Sequence, residues 1–464
     1  MDRVENAASL GDDLLSLQEL AGRNARTPDE LAAILQHIYW TVYDVDLNRY
    51  DAAETAKAAP YLMQTIFGLR MTLRNRIMDW ASRGLLTLPA ESALRDVFRI
   101  ARYGSDMLGE LAIGFDRFGR TGKGRRVFTG TDHNTLVNPA YYAGSDLPYR
   151  SGDVLLMRGS AYNSAAIARI GDVDTQFSHV GMIHVDSDGH HSVVEALIED
   201  GAVITPLEHA LDCGIGRAVL YRCRDEELAR RAADLIFEHV KKSNGPLSRR
   251  IVYDFSMELP GYKKLYCSKL VRQAFDMASN GEVMVPAFTT RLHMNNRDFF
   301  DRIGVTAEQT FAPGDIDLDP RFDLVAEWQD YRLTSTLRLQ DMLMTKLLEW
   351  MERRGFVFEE DIVIRLVALL GKGASLLSED AKTMVASVVP KVPRNMSRRT
   401  IATIAMLHRT GEELLGPLDA LEQNTIRNTG RPLHPRDIFE HLERVREISG
   451  GRIGYLVEPR AEAA

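Results

Sequence analysis

The chain has 464 residues, 45% of them apolar and 26% charged, enough to bury a full core and too many for one compact unit, so two or three domains are expected. A net charge of -8, with both signs mixed along the chain, excludes a polyanion held by bulk electrostatics, and nucleic acid is not an expected partner. Three cysteines, Cys213, Cys223 and Cys267, are too few for a disulfide scaffold. They imply free thiols in a reducing compartment, so a cytoplasmic location is expected, with export by a dedicated secretion system not excluded. Met1 to Leu20 mixes charges with apolar residues and reads as neither a secretory signal nor an anchor. No run approaches 18 apolar residues, so no transmembrane segment is expected.

Residues 1–115 read as a helical N-terminal region, with Leu31, Ile34, Leu35, Ile38 and then Leu62, Ile66, Leu69, Met71 at helical spacing. Residues 116–147 read as a linker whose first half is Gly-rich and basic, with Arg117, Arg120, Lys123, Arg125 and Arg126. It lacks the Gly-Lys-Ser/Thr ending and the leading strand of a phosphate loop. From Ser151 the period changes. Asp153–Met157, Phe177–Val185, His191–Leu197, Ala202–Thr205 and Ala218–Cys223 are short β-branched runs between Gly and Asp turns, the pattern of a mostly antiparallel meander. Helices are expected at Asp225–Lys242 and Cys267–Ala278, the second stopped by Asn280-Gly281. Segregated strands and helices place residues 148–333 in an α+β domain. Residues 334–464 read as a helical C-terminal region, with candidates at Leu337–Met351, Asp361–Leu370, Ser397–Leu415 and Pro435–Ile448, broken at Pro390 and Pro393.

Cys267 opens a helix whose apolar stripe is Leu270, Val271, Ala274 and Phe275. The free N–H groups and the positive end of the dipole at a helix start favour thiolate over thiol, and the same N–H groups can hold an oxyanion. A nucleophilic thiol also needs an imidazole base and a polar group to fix the imidazole tautomer. His179 and His184 are five residues apart on one strand, hence on opposite faces, so only one can serve a site. Ser187-Asp188-Gly189 suits a three-residue hairpin loop with Gly at its left-handed position. In that register His179 and Glu195 are diagonal neighbours on one face, and His184 lies opposite Ser192 on the other, as a structural residue.

A zinc site built from His179, His184, His190, His191, Cys213 and Cys223 lacks any paired ligand motif, so no metal is expected. No cofactor is expected either. The acidic run Asp315, Asp317, Asp319 resembles a calcium loop only superficially, because Pro320 stands where Gly is needed.

Four stretches resemble the permuted papain-like hydrolases of the YiiX-like branch within the NlpC superfamily, distant relatives of the lecithin retinol acyltransferases. Ser151–Gly159 is similar to the family's opening strand, Ser178–Met182 to its histidine strand, and Val193–Ala196 to the strand of its acidic third member. Tyr253-Asp254-Phe255 followed by Tyr266–Val271 is similar to its nucleophile segment. The order His, Glu, Cys is the permuted one. The resemblance covers about residues 148–330 and departs at Lys269, where relatives often carry Glu.

The resemblance implies a Cys267–His179–Glu195 triad acting on amide, ester or thioester bonds through an acyl-enzyme. Tyr253, Tyr266, Ser178 and Ser268 are candidate substrate contacts. An amidase or peptidase is the first expectation, a lipid acyl hydrolase or acyltransferase the second, and a noncatalytic partner-binding module the third. An apolar pocket beside an amphipathic helix would favour lipid, and a polar cleft open at both ends would favour peptide. Thr400–Leu415 is the amphipathic segment in question, although core packing is its ordinary explanation. The helical flanks are candidates for a protein partner or self-association.

Overall fold

The computed structural model describes residues 7–115, 128, 134–141, 147–172, 174–212, 214–246, 248–292, 296–361, 364–365, 393 and 395–459. Cys213, Pro390, most of the basic linker and most of the helix expected at Asp361–Leu370 lie outside them.

Four helices come first: α1 (Ala7–Ala21), α2 (Pro28–Tyr43), α3 (Ala52–Ser82) and α4 (Leu88–Gly114). The start of α2 is set by Thr27, whose hydroxyl accepts the Glu30 N–H while Pro28 fills the first helical position. Asp51 caps α3 in the same way. The apolar stripes read from the sequence close on one another, with Leu31, Leu35, Ile38, Leu62, Ile66 and Leu69 in a shared core.

Seven strands build one antiparallel sheet: β1 (Thr135–Val137), β2 (Val154–Gly159), β3 (His179–Val185), β4 (His191–Leu197), β5 (Gly201–Pro206), β6 (Ile215–Cys223) and β11 (Phe322–Gln329), in the spatial order β1-β11-β6-β2-β3-β4-β5. Two-residue strands β7 (Val252–Tyr253), β8 (Lys264–Leu265), β9 (Thr290–Arg291) and β10 (Gln309–Thr310) form two small ladders beside it. Side chains alternate across the sheet as the pleat requires. Val154 and Leu156 face a core shared with α7 (Glu226–Ser243) and α8 (Cys267–Ser279), whereas Leu155 and Met157 face a second core with Leu207 and Trp328.

Two of these strands escaped the sequence pattern. β1 lies within the segment expected to be linker, and it pairs Thr135 with Trp328 on β11. β11 carries Asp323, Glu327 and Gln329 among its apolar residues, which disguises it as surface. Inside the fold Glu327 is buried against Arg70 of α3, 2.6 Å away.

The C-terminal part returns to helix with α10 (Thr334–Arg354) and the helices Arg398–Thr429 and Pro435–Ile448. They share one apolar core with α5 (Tyr162–Ala168) and α9 (Asp298–Ile303). Among the described residues no helix is long and apolar enough to cross a membrane.

Candidate active site

The β3–β4 hairpin sets the site. Val185 pairs with His191 and His184 with Ser192, so the loop is Ser187-Asp188-Gly189, with Gly189 at φ +83°. The Asp186 side chain accepts the N–H groups of Asp188 and His190 and fastens the turn. This register aligns His179 and Glu195, whose Nε2 and Oε2 lie 2.6 Å apart. Glu195 Oε1 accepts a hydrogen bond from Thr205 Oγ1 on the next strand at 2.5 Å. Both carboxylate oxygens are therefore committed. His184 takes the opposite face, stacked on Phe237 at 4.0 Å between ring centroids.

α8 starts at Cys267 after an extended Tyr266 and ends at a left-handed Asn280. Cys267 and His179 are the first residues of their elements, and their side chains hydrogen-bond. The sulfur also accepts the Val180 N–H and has Ser268 Oγ 3.8 Å away. The imidazole thus bridges thiol and carboxylate, with its side chain 21% exposed beside a buried sulfur.

The electrostatics fit an ion pair. Burial by itself would raise the Cys267 thiol, but its hydrogen bond to His179 and the imidazolium charge outweigh burial and hold it below the ordinary thiol value. Burial would lower His179, yet hydrogen bonds to Cys267 and Glu195, with their charges, push it up to about 10. Burial likewise works against ionised Glu195, and the His179 and Thr205 contacts overcome it. At Cys223 burial outweighs the backbone hydrogen bond from Asp225 and pushes the thiol up to about 11. The surroundings of Cys267 favour a thiolate, and those of Cys223 favour a neutral, packed thiol.

The other sequence candidates divide. Tyr253 is buried within the field of the Cys267 sulfur and also lines an apolar cavity. Ser268 is fully buried beside the sulfur. Tyr266 spends its hydroxyl on Thr310 Oγ1 at 2.7 Å, and Ser178 Oγ accepts the Gly159 N–H at 3.1 Å. These two hold the frame of the site, tying α8 to the β10 segment and β2 to the start of β3.

Sequence reasoning missed Thr205. The alternation that put Glu195 with His179 continues into β5, where Val193 pairs with Thr205 and Glu195 with Val203. It also left Lys269 as an unbalanced charge. Lys269 Nζ is 2.7 Å from Asp254 Oδ2, so the pair is neutral as a unit.

Of the residues weighed for zinc, Cys213 lies outside the described residues, and the others do not form a ligand group with one another among the described residues. Among the described residues one group, Asp186, Asp188 and His190, gathers ligand-type atoms, and all three are exposed at the hairpin tip. The acidic run Asp315, Asp317, Asp319 is taken up by arginines, Arg95, Arg102 and Arg321 respectively.

No curated protein and no solved structure matches the chain. One family model does, over residues 148–325, and it describes a permuted papain-like amidase enzyme, YaeF/YiiX, C92 family. With β2, the β3–β4 hairpin and α8 all inside that stretch, residues 148–325 form a permuted papain-like domain of the YaeF/YiiX type.

Proposed function

We propose that the chain is a cysteine amidase in which Cys267 is the nucleophile, His179 the general base and acid, and Glu195 the residue that orients and charge-stabilises the imidazole. The observation that carries this reading is the unbroken hydrogen-bonded line from thiol through imidazole to carboxylate. Residues 148–333 would be the catalytic unit, with the helical segments before and after it as flanks.

In the first step the thiolate attacks the amide carbonyl carbon, forming a C–S bond. The oxyanion lies toward the first turn of α8, whose N–H groups, that of Cys267 included, have no acceptor within the helix. Imidazolium gives its proton to the amide nitrogen as the C–N bond breaks, and the amine leaves. Water, deprotonated by His179, then attacks the thioester. The carboxylic acid departs and the thiol is restored. The 21% exposure of the His179 side chain leaves a face for that water.

A thiol-reactive acyl probe tests the assignment. The native chain, Cys213→Ala and Cys223→Ala should label, and Cys267→Ala should not. Label that survives in Cys267→Ala and vanishes in either of the others would overturn it. Turnover of simple acyl amides by the native chain, absent in Cys267→Ala and His179→Ala, separates an enzyme from a module that only binds a partner.

A further inference from the structure

The catalytic unit and the C-terminal flank enclose a cavity of about 90 Å³, well above the ~10–15 Å³ that one water needs. Ile198, Tyr253, Phe255 and Met257 form one wall, and Ile404 and Leu407 of the helix Arg398–Thr429 form the other. Tyr253 links the cavity to the thiol's segment, since it lines the cavity and pairs in β7 with Leu265 of β8, two residues before Cys267. The flank is fastened at this point. Asn395 Nδ2 donates to the Tyr253 carbonyl at 2.7 Å, and the buried Met396 and Ile401 cluster with Phe255 and Ile198.

Apolar walls around open space are a cost that a folded chain ordinarily removes by collapse. Tyr162 adds a second oddity. It is buried, lines the cavity, and its hydroxyl has no hydrogen-bond partner among the described residues. Its ring is accommodated by Gly411, where an added Cβ would sit 2.0 Å from Tyr162 Cζ. A buried hydroxyl left without a partner is a further local cost to the fold.

We infer that this cavity receives the aliphatic chain of an acyl amide or acyl ester whose carbonyl is presented to Cys267. This rests on Cys267 acting as the nucleophile. It makes the amphipathic segment Thr400–Leu415 part of the substrate site, and it gives the helical flank a reason to accompany a small hydrolase domain. The chain held in the cavity is the part that stays on sulfur as the thioester.

The test is a series of acyl-aminocoumarin amides running from acetyl to palmitoyl, with the full-length native chain. Values of kcat/KM should climb by about fourfold per methylene until the cavity is full, then level or fall. Ile404→Trp and Ala166→Leu, which enlarge two lining side chains, one on the helix Arg398–Thr429 and one on α5, should move the optimum to shorter chains and cut the long-chain to acetyl ratio at least tenfold. A fluorescent fatty-acid analogue should bind Cys267→Ala and be displaced by unlabelled fatty acid, a readout that needs no turnover and no folded cavity variant. A flat chain-length profile with no binding of the analogue would overturn the pocket while leaving the nucleophile assignment intact. Turnover that persists in Cys267→Ala would instead bring down the nucleophile, and the acyl pocket with it.

Discussion

Lys269 Nζ and Asp254 Oδ2 lie 2.7 Å apart with both side chains buried, so an ion pair ties the second turn-forming residue past Cys267 to the residue that follows Tyr253. The pair joins α8 to one wall of the cavity. Asp254 is held in turn, its other oxygen accepting the Ser256 hydroxyl at 2.7 Å.

Breaking the pair from one side strands a buried charge. Lys269→Met is therefore expected to cost about 3–5 kcal/mol in urea unfolding. The double variant Asp254→Asn, Lys269→Met removes both charges and should recover most of the loss. A single variant that unfolds at the native midpoint would show that the pair contributes nothing.

The raised imidazole fixes a pH dependence. His179 titrates at about 10 in the fold against an ordinary 6.5, so the stabilisation of its charged form is fully present below 6.5 and is lost as pH rises through 10. Turnover that needs imidazolium to protonate the leaving amine should fall on its alkaline side near pH 10. In Glu195→Gln the carboxylate charge that favours imidazolium is gone, so that limb should move down toward neutrality and the maximal rate should drop by about tenfold or more. Thr205→Val should move it the same way by less. A pH–rate profile of Glu195→Gln superimposable on the native one would refute the orienting role.

The hairpin was legible because its information is local. A three-residue loop with Gly at positive φ fixes one register, and that register alone brings His179 to Glu195. The start of α8 was legible for the same reason, in its apolar stripe and its Asn280 stop. What stayed hidden is long-range and charged. Arg70, Arg102, Arg217 and Arg338 carry no sequence mark of burial, yet all four are buried and paired with carboxylates of distant segments. A pattern reader assigns Glu327 to the surface because a lone charge there is the common case. Its partner Arg70, more than 250 residues earlier in the chain, cannot be matched to it by any periodicity.

That network predicts an acid-sensitive joint between the N-terminal helices and the sheet. Burial works against ionised Glu327, and the charges of Arg70 and Arg102 overcome it, leaving its carboxyl below the ordinary value of 4.5. Asp317 is held low by Arg102 in the same way. Depressed carboxyls contribute stability that is present above their unfolded values and is lost as pH falls through the folded ones. Glu327→Gln leaves Arg70 buried without its counter-charge and should cost about 3–5 kcal/mol at neutral pH. It should also lessen the loss of helical circular dichroism in an acid titration below about pH 4. A native-like midpoint for Glu327→Gln at pH 7 would contradict this role.

Glu110 runs the other way. Its Oε2 is 2.9 Å from Arg338, but Arg338 already has Glu422 at 2.7 Å, so Glu110 is a second buried carboxylate on one guanidinium. Burial, helped by the Glu422 charge, outweighs the attraction of Arg338 and pushes Glu110 up to about 8. A raised carboxyl stabilises the fold below its unfolded value of 4.5, and that contribution is lost as pH rises through 8. Glu110→Gln keeps the shape and a hydrogen-bonding oxygen without the charge. It should change stability little at pH 5 and raise it by at least about 1 kcal/mol at pH 9, read as a higher Tm. If Glu110→Gln lowers the Tm at pH 9, Arg338 needs both carboxylates, and Glu110 is a necessary partner in the joint between α4 and α10.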